Sequence, residues 1–190
     1  MMNNYYKDNK DELINMTING DLSFHYNLFE KYLSNDTKTI LDIGFGSGRD
    51  SIYFSKKYEV YSIDPVIEFC EHAKQLGLKN VECLRVQDME YQNMFDGIWA
   101  CASLLHIPTY EMVDVLNRCY NALTSNGIMY CSFKLGEFEG IRNGRFFVDL
   151  IEERFIQFVS KTQFKVLEIL KTEDVRPDRE EKWLNVVLRK

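Results

Sequence analysis

The chain has 190 residues, 45% hydrophobic and 14% aromatic, with only 3 Pro and 10 Gly: enough apolar material for one folded domain, and no Pro-, Gly- or Ser-rich linker to divide it. A formal net charge of -6 excludes the general basic surface that gathers nucleic acid, and no run of about 18 apolar residues is present to span a membrane. Five cysteines without a C-x-x-C pair fit neither a disulfide framework nor a zinc site, and the polar start MMNNYYKDNKDEL lacks a signal-like apolar core, so a reduced, metal-free, cytoplasmic protein is expected.

In chain order, residues 5–16 have helical spacing, as does a stretch through Phe24, Leu28, Phe29 and Leu33 with Asp21 as its cap. From Thr39 onward short apolar runs alternate with longer amphipathic ones, the order of parallel strands joined by crossover helices. Strand 39–43 (TILDI) leads directly into GFGSG, followed by helix 50–57, strand 59–63 and helix 66–76, which Gly77 closes. Strands 81–86 and 95–102 come next, then helix 110–123, the turn Ser125-Asn126-Gly127 and strand 128–134. Segment 135–145 (LGEFEGIRNGR) reads as a polar, glycine-bearing loop too long for an ordinary connection, hence a functional segment. Helix 149–160 and strands 164–171 and 183–188 complete the chain; if those strands form an edge hairpin, the α/β fold is a seven-stranded mixed sheet, mostly parallel, with helices on both faces.

The chemistry concentrates at Asp42-x-Gly44-x-Gly46-x-Gly48, ending the first strand, and at Asp64, ending the second. Glycines there let the chain turn sharply and a ligand approach the backbone, while a carboxylate at the next strand end can accept both hydroxyls of a ribose. A ligand-free tight turn would use the same glycines. The G-x-G-x-G spacing differs from the dinucleotide G-x-G-x-x-G, and a carboxylate at Asp42 suits a cationic ligand tail and repels a pyrophosphate. No Walker-type G-x-x-x-x-G-K-[ST] occurs.

Taken in order, LDIGFGSGRDS, YSIDP, QDM, FDGIWACASLLHIP and ALTSNGIMYCSFKLG resemble the successive motifs of class I S-adenosylmethionine-dependent methyltransferases, across about half the chain. The GRDS continuation and ACASLLHIP are most similar to the tellurite-resistance-like branch of small bacterial methyltransferases. The resemblance implies a Rossmann-like domain in which residues 1–38 cap the cofactor, 39–134 bind it and 135–190 supply the substrate side. It sets Asp42, Gly44 and Gly46 against the methionine part of the cofactor, with Gly48 shaping the loop. Asp64 would hold the ribose, Pro65 would lie beside the adenine, and Asp88 with the Met89 backbone would read the adenine. Segment 101–106, including Ser103, would run under the sulfonium, with His106 as a general base or a structural hydrogen-bonding residue. Asp88 would equally serve as a turn cap.

For the acceptor, Arg142 and Arg145 in the 136–147 loop form a clamp for an anionic group, unless Glu137, Glu139 or Asp149 pairs with them; Tyr6 is a further contact. Arg176-Pro177-Asp178-Arg179 either folds onto the same mouth or forms an exposed turn. Ala102-Ser103-Leu104-Leu105 stands where nucleic-acid and protein amino methyltransferases carry [DNS]-P-P-[YFW], which shifts weight toward a small-molecule acceptor and away from nucleic acid. A monomer or homodimer with no membrane contact is expected. The alternatives are methylation of RNA or protein, and a non-catalytic S-adenosylmethionine-binding partner subunit.

Overall fold

The computed structural model describes residues 5, 6, 8–176 and 179–190. Nine strands and six α-helices are labelled here in chain order: α1 (Lys10–Thr17), α2 (Ser23–Glu30), β1 (Thr39–Ile43), α3 (Arg49–Phe54), β2 (Glu59–Asp64), α4 (Ile67–Gln75), β3 (Asn80–Cys83), β4 (Phe95–Ala100), α5 (Thr109–Ala122), β5 (Leu123–Lys134), β6 (Glu139–Arg142), β7 (Arg145–Val148), α6 (Glu152–Val159), β8 (Lys165–Glu173) and β9 (Lys182–Arg189). Seven of the strands form one sheet in the order β3-β2-β1-β4-β5-β9-β8, parallel up to β5 and antiparallel from β5 through β9 to β8.

Strand periodicity builds two core layers, because neighbouring residues face opposite sides of the sheet. Leu41, Ile98, Met129 and Val186 pack on one side with Met112 and Phe155, while Ile40, Trp99, Tyr130 and Val187 pack on the other with Phe29 and Phe54. Covered on both faces, the central strands read as nearly continuous apolar runs, and β1 is buried from Ile40 to Ile43. Chain order reverses between β1 and β4, so their connections leave in opposite directions and open a crevice beyond the strands' carboxyl ends.

Three expectations change. The third strand ends at Cys83, and Val86–Asp88 is a 3-10 turn instead of its continuation. The fifth strand begins at Leu123 and carries the Ser125-Asn126-Gly127 irregularity within it, beside a register shift between Phe95 and Gly97. Segment 135–145 is no simple loop: β6 and β7 pair as a hairpin around Asn143 and Gly144, whose φ values of 51° and 73° are those of a type I′ turn. Asp21 accepts hydrogen bonds from the Ser23 amide and hydroxyl at 2.8 and 2.6 Å, fixing the turn that enters α2.

Candidate active site

A cavity of about 780 Å³ occupies the crevice, floored by the strand ends and walled by the N-terminal helices, the β6–β7 hairpin and the β8–β9 connection. Its glycine loop turns with positive φ at Gly44, Gly46 and Gly48. Gly44 is also a contact point: a Cβ there would stand 2.5 Å from the Ser103 Cβ, so the loop and the segment after β4 touch through missing atoms. Gly46 lines the cavity; Gly48 lies behind it, next to Leu76, and leads into α3.

Asp64 ends β2 facing this loop. Its carboxylate accepts the Gly46 amide at 3.2 Å and the Val66 amide at 2.9 Å, which fixes its orientation, and burial pushes the carboxyl up to about 6. Two oxygens offer about four acceptor positions, so capacity for a ligand diol is left. Pro65 continues the same wall.

Asp42 does not line the cavity. As a strand residue it points into the interior, where it accepts the Ser51 hydroxyl at 2.6 Å, and burial followed by the nearby Asp50 charge holds it well above the usual carboxylate range. The charges beside the loop are Arg49 and Asp50, both on the wall. Asp50 accepts Arg49 Nε at 2.6 Å and Nη2 at 3.1 Å, the Tyr26 hydroxyl at 2.6 Å and Trp99 Nε1 at 2.9 Å, while Arg49 Nη1 donates to the Thr17 carbonyl. These four donors fill the acceptor positions of Asp50, whereas Arg49 keeps one further N–H on each of Nη1 and Nη2.

Asp88 and Met89, expected on the adenine side, do not line the cavity either. Asp88 projects outward from the 3-10 turn with 58% of its side chain exposed, 3.8 Å from Arg85, because β3 stops early and the turn rotates it away. The Met89 amide donates to the Val86 carbonyl and its side chain enters the core. Arg85, Val86 and Gln87 take their place on the wall.

His106 sits where the N-terminal segment meets the hairpin. The Phe146 carbonyl, 2.6 Å from Nδ1, can only accept, so Nδ1 carries the proton and Nε2 accepts the Tyr6 hydroxyl at 2.7 Å. Both nitrogens are engaged, and burial drives the imidazole from 6.5 down to about 4. That leaves no free lone pair for a general base and makes His106 a neutral bridge that positions Tyr6. The shift is downward, so its contribution to stability is complete above pH 6.5 and is lost as pH falls toward 4. A pH titration followed by NMR is expected to show the His106 ring neutral at pH 6 and titrating near 4; a midpoint at 6.5 would return it to the list of bases.

Of the two hairpin arginines, Arg142 is absent from the cavity wall and donates to both oxygens of Asp149 at 2.7 and 3.0 Å. Arg145 lines the cavity, as do Tyr6, Ser103 and His106. Arg176 and Arg179 reach the wall as well, Arg176 bonded to Asp174; Pro177 and Asp178 between them lie outside the described residues. Residues that the sequence reading passed over are Arg49, Asp50, His25, Gln87, Lys134 and Trp183. Only Arg49 and Asp50 carry a sequence signal, their place at the start of the helix after the glycine loop.

Residues 40–127 match the family described as methyltransferase domain. No curated protein matches the chain. Among solved structures, 1,6-didemethyltoxoflavin-N1-methyltransferase from Burkholderia thailandensis, with 1,6-didemethyltoxoflavin and S-adenosylhomocysteine bound, aligns with a TM-score of 0.77 at 19% identity, over 98% of this chain and 84% of its own. A Methanosarcina mazei S-adenosylmethionine-dependent methyltransferase gives 0.74 at 18% identity over 87% and 97%, and one from Mesorhizobium loti 0.73 at 14% over 91% and 100%. The shared architecture is the Rossmann-like methyltransferase fold.

Proposed function

We propose that this enzyme moves the methyl group of S-adenosylmethionine onto a small-molecule acceptor, because residues 40–127 match the methyltransferase domain family and the chain shares the fold of S-adenosylmethionine-dependent methyltransferases. The observation that carries the reading is Asp64, oriented by two backbone amides beside a loop that admits only glycine at Gly44. The residues present fit the cofactor: Asp64 for the ribose, Arg49 for the carboxylate of the tail, Pro65 and Gln87 flanking the adenine. The resemblance of GRDS and ACASLLHIP supports placement in the tellurite-resistance-like branch.

When bound, S-adenosylmethionine supplies an already activated methyl group, so the chain's own task is to align a nucleophile and exclude water. Residues 39–134 hold the cofactor, and residues 1–38 and 135–190 contribute Tyr6, His25, Arg145 and Trp183 to the rest of the wall. The cavity's volume of about 780 Å³, on the scale of small-molecule sites, favours a small acceptor. The B. thailandensis relative, whose acceptor is a small molecule, supports the same choice.

A cell extract split by filtration tests this. Release of S-adenosylhomocysteine is expected with the low-molecular-weight fraction; turnover confined to the RNA or protein fraction would favour a polymer, and none in either fraction a partner subunit.

A further inference from the structure

Resting on the small-molecule reading, we infer that the acceptor is an anion carrying a carboxylate-like group and that Arg145 is its counter-ion. Three cations surround the Phe147 ring: Lys134 Nζ at 5.4 Å, and the guanidinium groups of Arg142 and Arg145 at 4.8 and 5.0 Å from the ring centroid. Two of them are neutralised within the fold, Arg142 by Asp149 and Lys134 by Glu181 at 2.8 Å. Among the described residues no carboxylate pairs with Arg145, and its Nε is buried without a hydrogen-bond partner.

The groups facing Arg145 supply no negative charge. His106 is neutral, and burial pushes the Tyr6 phenol up to about 12. One positive charge therefore remains, on the cavity wall, close to two other cations and partly shielded from water, where an added anion is worth more than at an open surface. The guanidinium is also preorganised: it lies 4.9 Å from the Tyr5 ring and 5.9 Å from the Tyr6 ring in addition to its contact with Phe147. A rigid planar fork matches a carboxylate bidentately, and the aromatic walls suit a flat acceptor. Arg49, beside the glycine loop, is paired with Asp50 through Nε and Nη2 but keeps one further N–H on each of Nη1 and Nη2 for the cofactor's own carboxylate.

Benzoate and its uncharged counterpart benzamide are suitable probes, titrated by calorimetry or saturation-transfer NMR with and without S-adenosylhomocysteine. Benzoate is expected to bind at least tenfold more tightly than benzamide, the preference shrinking in high salt. Arg145→Gln should remove that preference and leave S-adenosylhomocysteine affinity unchanged, with Arg145→Lys intermediate and unfolding midpoints confirming that both variants are folded. Equal binding of the two probes, or a preference that survives Arg145→Gln, would overturn the inference. Loss of S-adenosylhomocysteine affinity in Arg145→Gln with the benzoate preference intact would also overturn it, by assigning the arginine to the cofactor tail. If the wild type binds no S-adenosylhomocysteine, the methyl-transfer reading falls, while the two probes on the protein alone still decide the claim about the anion.

Discussion

Gly44→Ala is expected to lower S-adenosylhomocysteine affinity at least a hundredfold. At φ 70° an alanine carries a left-handed strain of about 1–2 kcal/mol, and here its Cβ would also press to within 2.5 Å of the Ser103 Cβ. Neither partner is the loose end of a flexible side chain, so the glycine loop and the segment after β4 must separate, and both border the cavity. A loss of about 2.7 kcal/mol in binding corresponds to the hundredfold drop. Gly77→Ala is the matched control: φ is 84°, and nothing lies within 4 Å of the added Cβ. It should share the strain, seen as a lower unfolding midpoint, and keep wild-type affinity. Wild-type binding by Gly44→Ala would show that the ligand does not rest against this loop.

Asp64→Ala carries the second large effect. It removes the charged acceptor for two hydroxyls and the anchor for the Gly46 and Val66 amides, so a loss of about 3 kcal/mol, or more than a hundredfold in affinity, is expected by calorimetry. Asp64→Asn keeps the shape and one acceptor oxygen and should fall between the two. Because burial raises this carboxyl to about 6, its contribution to the stability of the ligand-free protein is present below pH 3.8 and is lost as pH rises through 6. The ionised form is the one that accepts hydroxyls, so affinity should move the opposite way and strengthen with rising pH. Unchanged binding by both variants would place the ribose elsewhere.

The sheet was readable because strands buried on both faces leave long apolar runs, and the glycine loop because positive φ demands glycine. Asp64 followed from its position at a strand end next to that loop. That Asp50 and not Asp42 lines the cavity is hidden from sequence spacing, because the partners that hold Asp50 on the wall, Tyr26 and Trp99, come from distant elements and are tertiary. That Asp88 lies off the cavity wall was hidden because its direction depends on where β3 stops, and strand ends are the least regular part of a strand. The hairpin had a signal, Asn143-Gly144, obscured by the glycines and charges around it. Which arginine would be neutralised within the fold could not be read from Arg142 and Arg145 alone, since each has acidic neighbours in sequence and only pairing across the folded hairpin selects Asp149 for Arg142.

The most direct measurement is a calorimetric titration of the wild-type protein with S-adenosylhomocysteine from pH 5 to 8. The expected result is one-to-one binding that tightens about tenfold between pH 5 and 7 and then levels off, as Asp64 ionises near 6. No binding by the folded protein at any of these pH values would contradict the assignment of the cavity to this cofactor.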